Sequence, residues 1–317
     1  MNIVILDGHT LNPGDNSWDP VRKLGEVTVF DRTPAHLIVE RAKDAEVILT
    51  NKTPITRETL DSLPRVRFIS VLATGYNVVD TDACAERGVI VSNVPEYGTR
   101  AVAQYVFALI LELTHRVGRH ADLVTRGKWA ESGDFSFWET PQIELAGLTL
   151  GIVGSGRIGS QVAAIGQAFG MHVVAATRSR PPAPGIESAS IEEVLKRADI
   201  LSLHCPSTPE TRGLVSATSL RAMKPTAFLI NTARGDLVDE GALTAALDQG
   251  VIAGAALDVV IREPIASDHP LLRNPRCIVT PHMAWSALGA RQRLMHTTAE
   301  NISAYHRGSP QNVAGGR

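Results

Sequence analysis

Two doubly wound α/β domains, each built on a parallel sheet, are the fold class this sequence predicts. Three observations predict it. The chain has 317 residues, which is about two domains at roughly 150 residues each. Short β-branched runs alternate with helix-like stretches along the whole length, the pattern of strands covered on both faces. A G-x-G-x-x-G loop joins one such run to one such helix.

In the first part of the chain the runs fall at residues 3–6, 27–30, 47–49, 68–71 and 89–91, with helices predicted at 34–43, 57–63 and 80–87. Pro34 suits a first helical turn, with Thr33 as its cap. In the second part, strands are predicted at 148–153, 172–176, 200–204, 227–231, 255–259 and 277–280. Helices fit at 160–169, 191–198, 219–223 and 240–249. Between the two sets lies 99–116, where Val102, Val106, Phe107, Leu109, Ile110 and Leu113 make a helix apolar nearly all round. Such a helix must be buried. Residues 287–307 read as a last helix carrying Leu288, Leu294 and Ile302, followed by a frayed, glycine-rich end.

Composition excludes several classes. The 31 Lys+Arg and 33 Asp+Glu leave a net charge of −2, without the basic excess of a nucleic-acid protein. Hydrophobic content of 44% with 20% charged residues is that of an ordinary globular chain. No apolar run approaches the ~18 residues of a membrane helix. The opening MNIVILDG lacks a basic n-region, so no secretory signal is expected. Cys84, Cys205 and Cys277 are odd in number and far apart. Neither a disulfide framework nor a zinc site is expected, no metal is called for, and a reducing cytoplasm fits.

The glycine loop is Gly154-Ser155-Gly156-Arg157-Ile158-Gly159. Gly154 permits the tight turn, Gly156 lets backbone approach a pyrophosphate, and Gly159 lets helix and strand pack closely. The helix N-terminus then faces the phosphates with free N–H groups and a partial positive charge. The next strand of an NAD protein should end in an acid that binds the ribose 2′-hydroxyl. Here it runs into Thr177-Arg178-Ser179-Arg180, with no acid between Ser160 and Ile186. Two guanidinium groups attract a 2′-phosphate and two hydroxyls can hydrogen-bond it, so NADP(H) is expected over NAD(H), with NAD(H) use left open.

Ligands of open α/β sheets sit outside the carboxyl ends of the strands, and three ionisable residues fall there. Arg234 stands in Asn231-Thr-Ala-Arg-Gly235, Glu263 in Asp258-Val-Val-Ile-Arg-Glu-Pro264, and His282 in Thr280-Pro-His-Met-Ala-Trp285. Together they divide the labour of reducing a carbonyl. Arg234 binds a substrate carboxylate and polarises the carbonyl oxygen. His282 donates the proton on reduction and accepts it on oxidation. Glu263 hydrogen-bonds the other imidazole nitrogen and favours its charged form. The hydride belongs to the cofactor.

These motifs, with His204-Cys-Pro206, Thr208, Thr211 and Leu257-Asp-Val259, resemble the D-isomer-specific 2-hydroxyacid dehydrogenases across essentially the whole chain. Thr50-Asn-Lys-Thr-Pro54, Leu72-Ala-Thr-Gly75, Asp134-Phe-Ser-Phe-Trp138, His282-Met-Ala-Trp285 and Pro310-Gln-Asn-Val313 are similar to the glycerate dehydrogenase, or hydroxypyruvate (glyoxylate) reductase, branch. The resemblance implies a Rossmann cofactor domain, 97–285, inserted into a flavodoxin-like substrate domain, 1–96 and 286–317. Crossings near 94–97 and 282–286 would act as hinges for a cleft that excludes water.

It further implies reduction of hydroxypyruvate to D-glycerate and of glyoxylate to glycolate. Thr74, Gly75 and Lys52 would contact substrate beside Arg234 and His282. Asp258 would meet the nicotinamide carboxamide. Cys205, Pro206, Thr211, Thr232, Ala233 and Ala284 would line the cofactor pocket. A homodimer through the 99–116 region is implied, with the 135–138 aromatic loop near the partner. Two departures from the family pattern are Thr177-Arg178 in place of the acid and Ala284 where many members have Gly. Two alternatives stand beside this reading. One is a dehydrogenase of another small 2-hydroxy acid. The other is a corepressor-like protein that binds nicotinamide without turnover, against which the short tail after Arg307 argues.

Overall fold

The computed structural model describes residues 1–177 and 185–315. The chain forms two compact units, one from residues 1–98 with 285–317 and one from 99–284.

The first unit is built on five parallel strands: β1 (Asn2–Ile5), β2 (Glu26–Val29), β3 (Val47–Thr50), β4 (Phe68–Val71) and β5 (Ile90–Ser92). They lie in the order β2-β1-β3-β4-β5. Every residue of β3 and β4 is buried, because side chains alternate between two covered faces. Ile48, Ile69 and Val71 pack with Ile38, Leu60 and Ala83 on one face. Val47, Leu49 and Phe68 pack with Leu294, Met295 and Ile302 of the helix Leu288–His306 on the other. Phe68 stacks on Tyr305 at 4.7 Å between ring centroids.

The second unit holds β6 (Thr149–Val153), β7 (His172–Ala176), β8 (Glu187–Ser188), β9 (Ile200–Leu203), β10 (Phe228–Asn231), β11 (Gly254–Leu257) and β12 (Cys277–Val279). Their order is β12-β11-β10-β9-β6-β7-β8, all parallel. The strand order reverses between β6 and β9, and such a switch point opens a ligand crevice at the carboxyl ends. The helices Thr99–His115 and Arg157–Ala168 cover one face. Val106, Phe107, Ile110 and Leu113 of the first are buried against Leu150, Ile152, Ile230 and Ala256. The apolar girdle of this helix therefore belongs to its own unit's core.

Eleven of the twelve described strands begin and end within about two residues of their predicted limits; the two-residue β8 has no predicted counterpart, and several local readings need correction. Pro34 is extended (ψ 148) and precedes a 3-10 turn, Ala35–Leu37, before the short helix Ile38–Ala42. Thr33 caps nothing there; its hydroxyl donates to the carbonyl of Leu6, just past β1, at 2.6 Å and accepts from Arg41 Nη1 at 2.9 Å. The tail is not frayed through 314: Asn312 and Val91 carbonyls accept from Asn93 and Ala314 N–H, and Ala314 is buried. The helix after the glycine loop starts at Arg157, three residues before its predicted start. Residues 117–131, unassigned from sequence, form the helices Val117–Thr125 and Lys128–Glu131, broken at left-handed Gly127 (φ 86). None of their residues is buried; Val117, Ala121 and Val124 line one face of the first, but that face is not covered by its own unit.

No helix among the described residues is long and apolar enough to cross a membrane. The three cysteines are free, and burial pushes the Cys84 thiol up to about 11 and Cys277 up to about 12.

His204 follows β9 with Ser202 Oγ 2.8 Å from its Nε2. Burial pulls its pKa from 6.5 down to about 4. As pH falls from about 6.5 towards 4, the unfolded chain takes up a proton that the folded chain refuses, so stability declines through that window. The urea midpoint of the wild type should fall between pH 7 and pH 4.5 by more than that of His204→Gln. Equal falls would remove His204 as the cause.

Candidate active site

The glycine loop follows β6 at the switch point. Gly154 sits at φ 95, and a Cβ there would lie 2.8 Å from the Cys205 backbone nitrogen. A Cβ on Gly159 would strike the Gly154 carbonyl oxygen at 2.0 Å. These two glycines are therefore demanded by close backbone packing. Gly156 differs: a Cβ there would meet nothing within 4 Å, and the position is exposed. Its bare backbone leaves room for a ligand rather than for a neighbour. Ile158 packs into the core beneath the loop, while Arg157 is exposed at the helix start. Ser155 Oγ and Thr232 Oγ1 are buried polar atoms without a hydrogen-bond partner. Open space before Gly156, two unmet hydroxyls and a twelve-residue helix starting at Arg157 fit a dinucleotide phosphate. Thr177 is half-buried after β7, and the expected contacts at Arg178, Ser179 and Arg180 lie outside the described residues.

Beside the loop, Cys205 packs against the core face that also holds Ala233. The Thr211 hydroxyl is engaged within its own turn, donating to the Pro206 carbonyl at 2.8 Å and accepting from Thr208 N–H at 2.7 Å. It shapes the segment that starts at Pro206.

Arg234, Glu263 and His282 all belong to the second unit and follow three adjacent strands, β10, β11 and β12. The Arg234 turn is folded by Asn231, which is fully buried. Its Nδ2 donates to the Arg234 carbonyl at 2.8 Å and its Oδ1 accepts from Ala233 N–H at 3.0 Å. Gly235 then presses on the segment after β11. A Cβ on it would lie 2.0 Å from the Val260 carbonyl carbon and 2.2 Å from its oxygen.

Asp258 is 1% exposed. Its Oδ1 accepts from Thr280 Oγ1 at 2.7 Å and Met283 N–H at 2.9 Å, and its Oδ2 accepts from Ala284 N–H at 2.8 Å. The buried carboxylate thus clamps residues 280–284 around His282. That clamp holds His282 at φ 51, a left-handed conformation a non-glycine residue rarely adopts. There His282 Nδ1 lies 2.7 Å from Glu263 Oε2, with both side chains about one-third exposed. The geometry is that of a hydrogen-bonded acid–imidazole pair able to move a proton at Nε2.

Lys52, Thr74 and Gly75 belong to the first unit, in the turns after β3 and β4. Lys52 is exposed. Its turn is organised by a residue the sequence reading missed. Asp7, just beyond β1, accepts the backbone N–H groups of Asn51, Lys52 and Thr53 at 2.8, 2.5 and 2.8 Å. An acid directly after a strand was the only signal, and it does not name its partners. Thr74 Oγ1 donates to the Val94 carbonyl at 2.9 Å, and Asn93 Nδ2 donates to the Thr74 carbonyl at 2.7 Å.

With this geometry in hand, comparison with known proteins is specific. Residues 107–284 match the model of the D-isomer specific 2-hydroxyacid dehydrogenase NAD binding domain. The chain is 44% identical to a hydroxypyruvate reductase of Blautia hydrogenotrophica, over 99% of each chain. It is 41% identical to a glycerate dehydrogenase of Methylorubrum extorquens, over 87% of each. Among solved structures it is similar to an NADPH-dependent glyoxylate/hydroxypyruvate reductase from Sinorhizobium meliloti in complex with NADP and malonate. The TM-score is 0.85 at 27% identity, covering 99% of this chain and 96% of that one.

Two glycine substitutions should separate packing from ligand space. Gly235→Ala must push the Arg234 turn off Val260, lowering the melting temperature by about 5 °C. Gly156→Ala should melt within about 2 °C of wild type yet bind dinucleotide far more weakly. Thermal unfolding and cofactor-fluorescence titration of both variants check this.

Proposed function

The chain belongs to the D-isomer specific 2-hydroxyacid dehydrogenase family, and on that premise we propose that it reduces small 2-oxo acids, hydroxypyruvate and glyoxylate first, with NADPH as preferred cofactor. The observation that carries the reading is the 2.7 Å contact between His282 Nδ1 and Glu263 Oε2. A nicotinamide, when bound, would supply the hydride for the carbonyl carbon. His282 gives the Nε2 proton to the carbonyl oxygen, and Glu263 stabilises the imidazolium and fixes the tautomer through Nδ1. Arg234 holds the substrate carboxylate and draws charge onto the oxygen. Thr74 and Gly75 offer backbone N–H groups to that carboxylate, and Lys52 adds a charge. Asp258 keeps His282 in place, and its Oδ2 can still accept from the nicotinamide carboxamide.

The NADPH preference rests on Arg178 and Arg180 together with the absence of an acid between Ser160 and Ile186. A homodimer through the 99–116 region is part of the reading. Exposed Val117, Trp129, Phe135 and Trp138 in the adjoining segment support it. Three free cysteines support a reducing compartment, the cytoplasm.

A panel of 2-oxo acids assayed with both cofactors tests the reaction. His282→Ala should lower kcat about a thousandfold while NADPH affinity stays near wild type. Equal loss of both would make the residue structural. Arg178→Ala combined with Arg180→Ala should weaken NADPH at least about tenfold more than NADH. An unchanged cofactor ratio would refute the 2′-phosphate assignment.

A further inference from the structure

We propose that Glu240 is a positioning residue for the acid–imidazole pair, acting through the segment that carries Glu263; the proposal rests on the role given to Glu263 above. Glu240 is the first residue of the helix Glu240–Asp248, which is capped by Asp239 Oδ1 accepting from Ala242 N–H. The cap is made without the Glu240 side chain, and a first-turn carboxylate serves the helix dipole equally well from an exposed position. The side chain is nonetheless only 15% exposed, unusual for a glutamate. Its two oxygens go to the two ends of one segment. Oε1 accepts from Ile261 N–H at 2.7 Å, and Oε2 lies 3.2 Å from His269 Nε2.

Residues 261–269 are thus closed into a loop across a single carboxylate, and Glu263 stands inside that loop. Two hydrogen bonds are internal to 260–269, Val260 N–H to Glu263 Oε1 at 3.4 Å and His269 N–H to the Ala266 carbonyl at 3.1 Å, while His269 Nδ1 also accepts from Leu271 N–H at 3.4 Å at the start of the 3-10 turn Pro270–Arg273. Neither internal bond ties the loop to the helix Glu240–Asp248. Ile261 is exposed, with a side chain that anchors nothing. Its N–H contact with a carboxylate, charge-assisted and so roughly twice as strong as a neutral one, fixes where the backbone leaves Val260. That exit sets the approach of Glu263 Oε2 to His282 Nδ1. Misplacing a catalytic group by about 1 Å can cost a hundredfold in rate, so a holder two residues away carries weight.

The test measures single-turnover oxidation of NADPH by hydroxypyruvate, NADPH affinity and melting temperature in five variants. Glu240→Ala should slow the turnover about tenfold or more with NADPH affinity unchanged. Glu240→Asp keeps the charge but falls short by one methylene; it should show the same loss and serves if the alanine variant fails to fold. Glu240→Gln, whose amide oxygen still accepts from Ile261 N–H, should recover to within about threefold of wild type. In a Glu263→Gln background, Glu240→Ala should cost less than about twofold more. A full further loss in that background overturns the proposal, as does wild-type turnover in both Glu240→Ala and Glu240→Asp. If Glu263→Gln alone turns over at the wild-type rate, the role of Glu263 falls and the proposal with it. A slow Glu263→Gln beside a normal Glu240→Ala sinks the proposal alone.

Discussion

The arrangement of the candidate site depends on one buried carboxylate. Asp258 lies at the end of β11, all but sealed from solvent, and a charge in that position is tolerable only if its oxygens are met. They are met by Thr280, Met283 and Ala284, which bracket His282 in sequence. The exit of β12 is therefore nailed to the exit of its neighbour β11. The left-handed backbone at His282 costs on the order of 1–2 kcal/mol. Three hydrogen bonds to a charged acceptor, at about 1.5–3 kcal/mol each, can carry that strain. Asn231 does the corresponding task at β10 with a neutral amide, folding the turn that presents Arg234. At three adjacent strand ends, then, a satisfied polar side chain or its donors lie beneath each exposed ionisable group. This is how a site holds its geometry without support from a ligand.

Much of the scaffold was legible in the sequence because its signals are local. Apolar runs at 47–50 and 68–71 lie between turn signals, and buried parallel strands leave that trace. The glycine loop states its own geometry, since Gly154 and Gly159 answer to backbone atoms a few ångströms away. Placing Arg234, Glu263 and His282 at strand ends required only the strand limits. What stayed hidden has non-local causes. Asp258 reads in sequence as a residue awaiting a cofactor; its partners, the Thr280 hydroxyl and two N–H groups, lie more than twenty residues on, and backbone donors have no letter in a sequence. Asp7 is hidden in the same way, its three donors lying beyond another strand. Thr33 beside Pro34 looks like a cap, but its hydroxyl donates to the Leu6 carbonyl and accepts from Arg41 Nη1 instead. The helix Val117–Thr125 is short, and its stripe of Val117, Ala121 and Val124 is covered by nothing in its own unit.

Asp7 and Asp258 show one device used once in each unit. Each stands just past a parallel strand, β1 or β11. Each accepts backbone N–H groups from the loop that leaves the adjacent strand, β3 or β12. The reason lies in parallel pairing. Where the ladder ends, the N–H groups of the next loop lose their strand partners, and an unmet backbone donor is costly unless something accepts from it. A short acid on the neighbouring strand is the nearest acceptor, and its charge strengthens the bond. Such an acid holds the loop through its backbone, so the side chains of Lys52 and His282 are not spent on holding it. The two cases differ in depth. Asp258 is buried and Asp7 only half-buried. That difference follows from the tasks proposed for the two loops. A point charge such as Lys52 attracts a carboxylate over several ångströms and tolerates slack. A proton donor such as His282 must come within hydrogen-bond reach of one oxygen, and the tighter clamp stands under the loop with the stricter tolerance.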